Sequence, residues 1–427
     1  MNSARQRDDR LLPADLLLMA LVFTLPLMKP PVHYPVIIAD LVFVLVVVVL
    51  ALEIAIGKRR IGWQPSFTIL AVYVLSLAPS ALVSRDPAQS AFKLATEVYL
   101  VGLAAVTAVV VRDEVMLRRV VLTWLAATAG LVIVCLAGLT GFAADRDGAV
   151  YGYTAFHFGT LPPGNYPRLA LTFFNANMAC NYLTASLGLL FLAWTRQWLN
   201  RRNARLLFAG ILIAAVSTIS PGLGGVALLL GSAWLLIRRS RVALAFGIAV
   251  AVAFIVALAV TPIIHPTAPF LIHVPHTNLL LAPSGRFMTW SAAFTEFVHH
   301  PIVGHGIGID AVNVRYMDPS GNLQELTDAH NLFLSLAAQT GVVGLVGLAI
   351  FIAYAAGLTF SSRPRNPSAP IILGLTFLDV FVYQGLGGAF EDTRHIWVLL
   401  GLLIASARIN FTHADGNSRK AGAPSPC

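Results

Sequence analysis

Charge is what this sequence has least of. Only 11% of its 427 residues are Asp, Glu, Lys or Arg, while 57% are apolar; a soluble domain carries about 25% charged residues. That scarcity excludes a water-soluble globule of this length, which would need several polar-coated cores. Cysteine is nearly absent: Cys135 and Cys180 lie in apolar runs and Cys427 in a polar terminal stretch, so no disulfide framework is legible. A small-residue cleavage pattern is missing after the first apolar run, Leu16 to Met28, which leads into Lys29, Pro30 and Pro31. That run is expected to stay as a helix rather than leave as a signal peptide. HExxH and repeated acidic pairs are also missing, so His299, His300, His305, His330 and Asp310 make a weak case for a metal site.

What the chain does have is apolar runs of about 20 residues, the span of a hydrocarbon layer. They predict helices near 12–28, 36–56, 66–83, 90–111, 117–140, 173–195, 204–219, 222–237, 242–263, 330–358, 370–387 and 394–409. The net charge of +9 orients them. Of the 29 Lys and Arg residues, all but Lys29, Arg85, Lys93, Arg146, Arg168, Arg286, Arg315 and Arg394 fall at one set of alternate connections. Under the positive-inside rule, this puts both termini in the cytoplasm, as expected of an inner-membrane protein, and makes nucleic-acid binding an unneeded explanation for the charge. The expected fold is all-α, a polytopic transmembrane bundle of about twelve helices forming one unit over 1–409, with a cytoplasmic polar tail over 410–427. The turn at Ser220, Pro221 and Gly222 is read as a tight outer connection between two short helices.

Two long connections fall outside, about 141–168 and about 264–329, the latter between helices nine and ten. Long loops of this kind are functional or disordered. The second is not featureless: Phe287, Trp290, Phe294, Phe297 and Val298 recur at helical spacing over 286–300, as in an amphipathic helix at the membrane surface. Pro301 ends it, and the glycines from Gly304 to Gly308 read as a hinge, since no strand precedes them as a phosphate loop requires.

Arg168, Arg286 and Arg394 fall at or near outer helix ends, where a guanidinium can bind a phosphate bidentately. Snorkelling or pairing, such as Arg394 with Glu391 or Asp392, is the plainer alternative. His330 opens a helix after Thr327, Asp328 and Ala329, with Asn331 beside it; an acidic neighbour could fix its tautomer for general-base work, and an interfacial helix-end histidine is the other reading. Of the acids within apolar runs, Asp40, Glu53, Glu97 and Asp379, only Asp379 is deep, as an interhelical bond or a proton site. Gly341, Gly344 and Gly347 suit close helix packing.

Taken together, the run from Arg168 to Asn177, the segment Gly285–Arg286 to Trp290, the stretch from Pro301 to Gly308 and the helix from Ala329-His330-Asn331 through Gly344 resemble the O-antigen ligase and O-antigen polymerase superfamily. The resemblance covers residues 165–350. It implies transfer of a glycan from undecaprenyl pyrophosphate to an acceptor hydroxyl at the periplasmic face, with inversion and without metal, nucleotide or other cofactor. It further implies His330 as the base, with Arg168, Arg286, Arg394, Asn177 and Asn331 as substrate contacts. The implied partners are the lipid-linked donor, lipid A core or another glycan acceptor, and membrane lipids. One departure stands out: family members often have Ser-Arg-Gly where this chain has Ser220-Pro221-Gly222, so Arg394 or Lys93 is expected to supply the missing basic contact. Ligation to lipid A core is favoured. A polymerase of O-antigen or exopolysaccharide and, from another class, a secondary transporter remain as alternatives, although repeated halves are not visible.

Overall fold

The computed structural model describes residues 11–29, 36–145, 148–155, 168–238, 241–263, 272–273, 280–283, 285–317, 323–360, 369–387 and 393–421. Among them are fourteen helices: α1 (Pro13–Thr24), α2 (Ile38–Ala55), α3 (Pro65–Leu82), α4 (Pro87–Val110), α5 (Glu114–Ala144), α6 (Ala149–Thr154), α7 (Ala176–Thr195), α8 (Arg201–Ser217), α9 (Leu223–Arg238), α10 (Arg241–Ala259), α11 (Gly285–His299), α12 (Leu332–Phe360), α13 (Ala369–Gly387) and α14 (Arg394–Ala421). Each apolar run becomes a helix, the amphipathic segment expected over 286–300 forms α11, and α6 is the one addition among the described residues. Seven of the helices are long and apolar enough to cross a membrane, and α1, α9 and α10 contain shorter apolar stretches. The protein is an all-α polytopic membrane protein. Exposed Leu41, Val44, Leu45 and Val48 on α2 suit lipid contact.

Local chemistry explains where helices begin. Asp86, Asp113, Asn175 and Asn200 each accept a hydrogen bond from the backbone N–H three residues on, which satisfies a donor the helix leaves orphaned. The last helix does not stop near 409 but runs on to Ala421, so most of the expected tail is helical; once a helix is nucleated, each added residue gains a hydrogen bond. Small strands also appear that periodicity did not indicate. β1 (Val260–Ile263), β2 (Ile272–His273) and β3 (Leu280–Pro283) form an antiparallel sheet in the order β1-β3-β2, while β4 (Val314–Met317) pairs antiparallel with β5 (Leu323–Leu326).

The most enclosed helices are α7 and α13, which pack on each other, with α9 beside both and α12 and α14 against α13. Gly188 of α7 makes this approach possible: a Cβ there would run into the side chain of Thr376 on α13.

A break in α12 positions the site. Gly341 has φ 60° and ψ −159°, outside helical space. The backbone groups freed there do not go unpaired. Ala338 and Gln339 carbonyls accept from His305 N–H (3.2 Å) and Gly306 N–H (3.1 Å), and Val342 and Val343 donate to Pro301 O (2.8 Å) and Ile302 O (3.1 Å). From the other side, Gln89 Nε2 donates to Gly308 O (2.7 Å) and Ser90 Oγ to Ile307 O (2.6 Å). The glycine run read as a hinge is therefore a wedge seated between α12 and the start of α4. Its glycines are needed because Gly304, Gly306 and Gly308 all have positive φ, and an added Cβ at Gly308 would lie 2.6 Å from the Lys93 Cβ.

Candidate active site

Helix α11 carries Arg286 in its first turn, and Thr289 ties it down by donating from Oγ1 to Ala329 O (3.2 Å). Ala293 packs with Ala311, Val312, Ala329 and Ala338, so α11 lies against the segment leading into α12. That segment is organised by Asp328. One carboxylate oxygen accepts the His330 backbone N–H at 3.0 Å, and the other lies 3.2 Å from His330 Nδ1. Burial works to raise the Asp328 pKa, but the bonds from the His330 ring and backbone outweigh it, and the group falls below the ordinary carboxylate value. His330 does not open the helix; it precedes it at φ +49°, a left-handed conformation that Asp328 holds. Asn331 is the cap of α12, accepting from Leu334 N–H at 3.2 Å and buried in doing so. The ring of His330 stays 44% exposed, which leaves Nε2 open to a substrate.

Arg286 and Arg168 come together here. Arg168 is buried, and its Nε donates to Thr218 O at 3.2 Å. Burial and then the Arg168 charge push the Arg286 pKa below its ordinary value, with Asp328 opposing them. The Nη1 of Arg286 is buried and has no hydrogen-bond partner among the described residues. A buried cationic donor without a partner is costly, and an incoming anion removes that cost.

Around Arg286 stand Asn177 and Asn181 of α7, Pro221 and Gly222 of the α8–α9 turn, and Tyr383 and Gln384 of α13, enclosing a narrow cavity of about 20 Å³. Asn177 Oδ1 accepts from Ser220 Oγ (2.8 Å), which in turn accepts Gly222 N–H (3.0 Å). Tyr383 donates its hydroxyl to Pro221 O. Asn181 is held from both sides, donating to Val380 O and facing His395 Nε2, each at 2.8 Å. Arg286 is thus met by amides of α7 and α13 and by the Tyr383 phenol, beside the Pro221–Gly222 turn. Asn181, Tyr383, Gln384 and His395 were not singled out from the sequence; Asn177 and Asn181, four apart in an apolar helix, were the available signal.

Arg394 is elsewhere. Its Nε and Nη2 donate to the two Asp40 oxygens at 2.6 and 2.9 Å, Tyr99 donates to Asp40 Oδ1 at 2.5 Å, and the guanidinium lies over the Tyr99 ring. Asp40 is thus its partner; Glu391 and Asp392 lie outside the described residues. Lys93 pairs with Glu97 at 3.3 Å. Both carboxylate oxygens of Asp379 are buried without a hydrogen bond among the described residues. No group of three or more His, Cys, Asp or Glu suited to a metal occurs among them.

Guanidinium groups beside a partly exposed His–Asp pair form an arrangement able to bind an anion next to a proton acceptor. Residues 206–349, about a third of the chain, match the family model for O-antigen ligase, which supports a relationship to the O-antigen ligase superfamily. The match supports a function of the O-antigen ligase or polymerase type. It contains Pro221, Arg286, His330 and Asn331, while Arg168, Asn177 and Arg394 lie outside it. No curated protein is significantly similar to the chain.

Proposed function

We propose that the protein transfers a glycan from undecaprenyl pyrophosphate to an acceptor hydroxyl at the periplasmic face of the inner membrane, and that it ligates O-antigen to lipid A core. The observation that carries this reading is the buried, unpartnered Nη1 of Arg286 beside Arg168 and the Asp328–His330 pair.

The chemistry follows from those groups. His330 Nδ1–H donates a hydrogen bond to Asp328, which leaves the Nε2 lone pair to take the acceptor's hydroxyl proton. The acceptor oxygen bonds to the anomeric carbon as the bond to the diphosphate oxygen breaks on the opposite face. The electron pair departs with the diphosphate, and Arg286 and Arg168 meet the growing charge. The configuration inverts, and the proton passes from His330 to solvent. General-base assistance of this kind contributes about 100-fold to 10,000-fold. The Asn177 amide N–H offers a neutral hydrogen bond to the diphosphate or first sugar at the turn where the resemblance leads one to expect arginine. Arg394, bound to Asp40, holds helices together.

Purified protein incubated with a lipid-linked glycan and core-terminated lipopolysaccharide tests the assignment. Ligation appears as glycan moved to the lipopolysaccharide. Growth of the lipid-linked chain instead, with lipopolysaccharide unmodified, would make the protein a polymerase.

A further inference from the structure

The helices that carry the polar pocket at one end enclose a second space at the other. This cavity, about 360 Å³, lies between α7, α8, α9 and α13. Leu187, Leu190, Leu229 and Ile372 are among its walls, and Gly188 and Thr376 lie where α7 and α13 meet. The Thr376 hydroxyl is already spent on Ile372 O at 2.7 Å, so the lining offers a ligand almost no polar group. Trp194, Phe208, Trp234 and Ile237 also line the cavity and are exposed, so it opens to the surroundings of the protein through an apolar mouth.

The rim is not apolar. Arg205 lines the cavity, Arg201 and Arg202 lie a turn away at the start of α8, and Arg196 lies just before them. Arg196 reaches Glu114 at 3.4 Å, while Arg201, Arg202 and Arg205 have no carboxylate partner among the described residues. Indole rings at a mouth, guanidinium groups at its edge and an apolar interior together match one kind of molecule: an acyl chain below an anionic headgroup. A zwitterionic lipid brings its own cation beside the phosphate and so answers the arginine charge less fully.

We propose that this cavity binds one acyl chain of an anionic phospholipid from the leaflet opposite the candidate active site, with the headgroup held at the Arg205 rim. Gly188 and Thr376 are each seven residues, two turns or about 10 Å, from Asn181 and Tyr383 of the polar pocket. The lipid chain therefore braces the same α7–α13 pair that positions those side chains.

Native mass spectrometry of the full-length protein, titrated with phosphatidylglycerol or phosphatidylcholine of identical chains, tests the proposal without reference to transfer activity. Wild type is expected to prefer phosphatidylglycerol. Arg205→Gln is expected to lower that preference about five-fold, and Ser232→Phe, which fills the cavity, to weaken both lipids. Arg118→Gln, an exposed arginine on α5, is expected to change neither. Equal affinity for the two lipids, or an Arg118→Gln effect as large as that of Arg205→Gln, overturns the proposal. If a variant fails to fold, a phosphatidylglycerol with a photoreactive chain label decides on the wild type: adducts on α7 and α9 around Leu190 and Ala233 support the site, and adducts confined elsewhere refute it.

Discussion

The Nδ1 of His330 lies 3.2 Å from Oδ2 of Asp328, while the backbone N–H of the same histidine donates to Oδ1 at 3.0 Å. One carboxylate thus fixes both the ring and the left-handed backbone beneath it. Replacing His330 by Gln is expected to reduce transfer about 100-fold to 10,000-fold with donor binding retained. Asp328→Asn presents an amide N–H to Nδ1, favours the unproductive tautomer and is expected to cost on the order of 100-fold. Initial rates and donor binding on the purified variants check both; wild-type turnover by His330→Gln would remove the base from the mechanism.

The same pair sets a dependence on pH. The Asp328 pKa in the folded protein is lower than its ordinary 3.8, so the folded state binds fewer protons there than the unfolded chain. Its stabilising contribution is complete above that ordinary value and is lost as pH falls through the folded one. The gap in melting temperature between wild type and Asp328→Asn should close as pH falls below about 4. A gap that persists undiminished well below that point would contradict the assigned direction.

Arg286 keeps a cationic donor buried without a partner, an arrangement that favours binding over stability. Arg286→Met retains much of the volume and removes the unmet donor. It is expected to abolish transfer while leaving the melting temperature equal or higher, by a gain of about 1 kcal/mol or more. Thermal unfolding in detergent beside a donor-binding assay separates the two effects; a strongly destabilised variant would show that the guanidinium is a structural strut.

Much of this was legible in the sequence because lipid enforces a simple code. Backbone polar groups cannot be left bare in hydrocarbon, so crossings are apolar helices, broken only where other segments pair the freed groups, and the runs mark α1 to α5, α7 to α10 and α12 to α14. Asp328 and His330 were readable because they are close in sequence. What was illegible depends on distance or on backbone angle. The Asp40 partner of Arg394 is 354 residues away, and without it the arginine looked available for substrate. The glycines of 304–308 looked pliant because their tight seating depends on the break at Gly341. The strands of the long loop are only two to four residues each, too short to register a period.

Asp40 and Arg394 are expected to act as a structural pair. Their side chains are 16% and 13% exposed, so removing either charge breaks a largely buried ion pair and should cost about 3 kcal/mol. Asp40→Asn combined with Arg394→Gln is expected to recover part of the loss of either single change. Melting temperatures of the four proteins give the coupling. A double variant that folds well yet fails to transfer glycan would return Arg394 to the substrate.

Gly341 is the residue on which the position of His330 most depends. Its φ of 60° and ψ of −159° lie in a region essentially reserved for glycine and cost any other residue about 1–3 kcal/mol, and a Cβ would meet the backbone of Ile302. Ile302 cannot retreat freely, since it accepts from Val343 N–H at 3.1 Å within the set of bonds that seats 301–306. Gly341→Ala should therefore straighten or loosen α12, displace residues 332–340 with Asp328 and His330 at their head, and lose transfer as well as stability. Gly357 is the control, because it lies in the same helix and an added Cβ meets nothing within 4 Å. Gly357→Ala is expected to melt at or above the wild-type temperature, since alanine is the better helix former. Equal behaviour of the two variants in melting and transfer would mean that the break in α12 does not position the site.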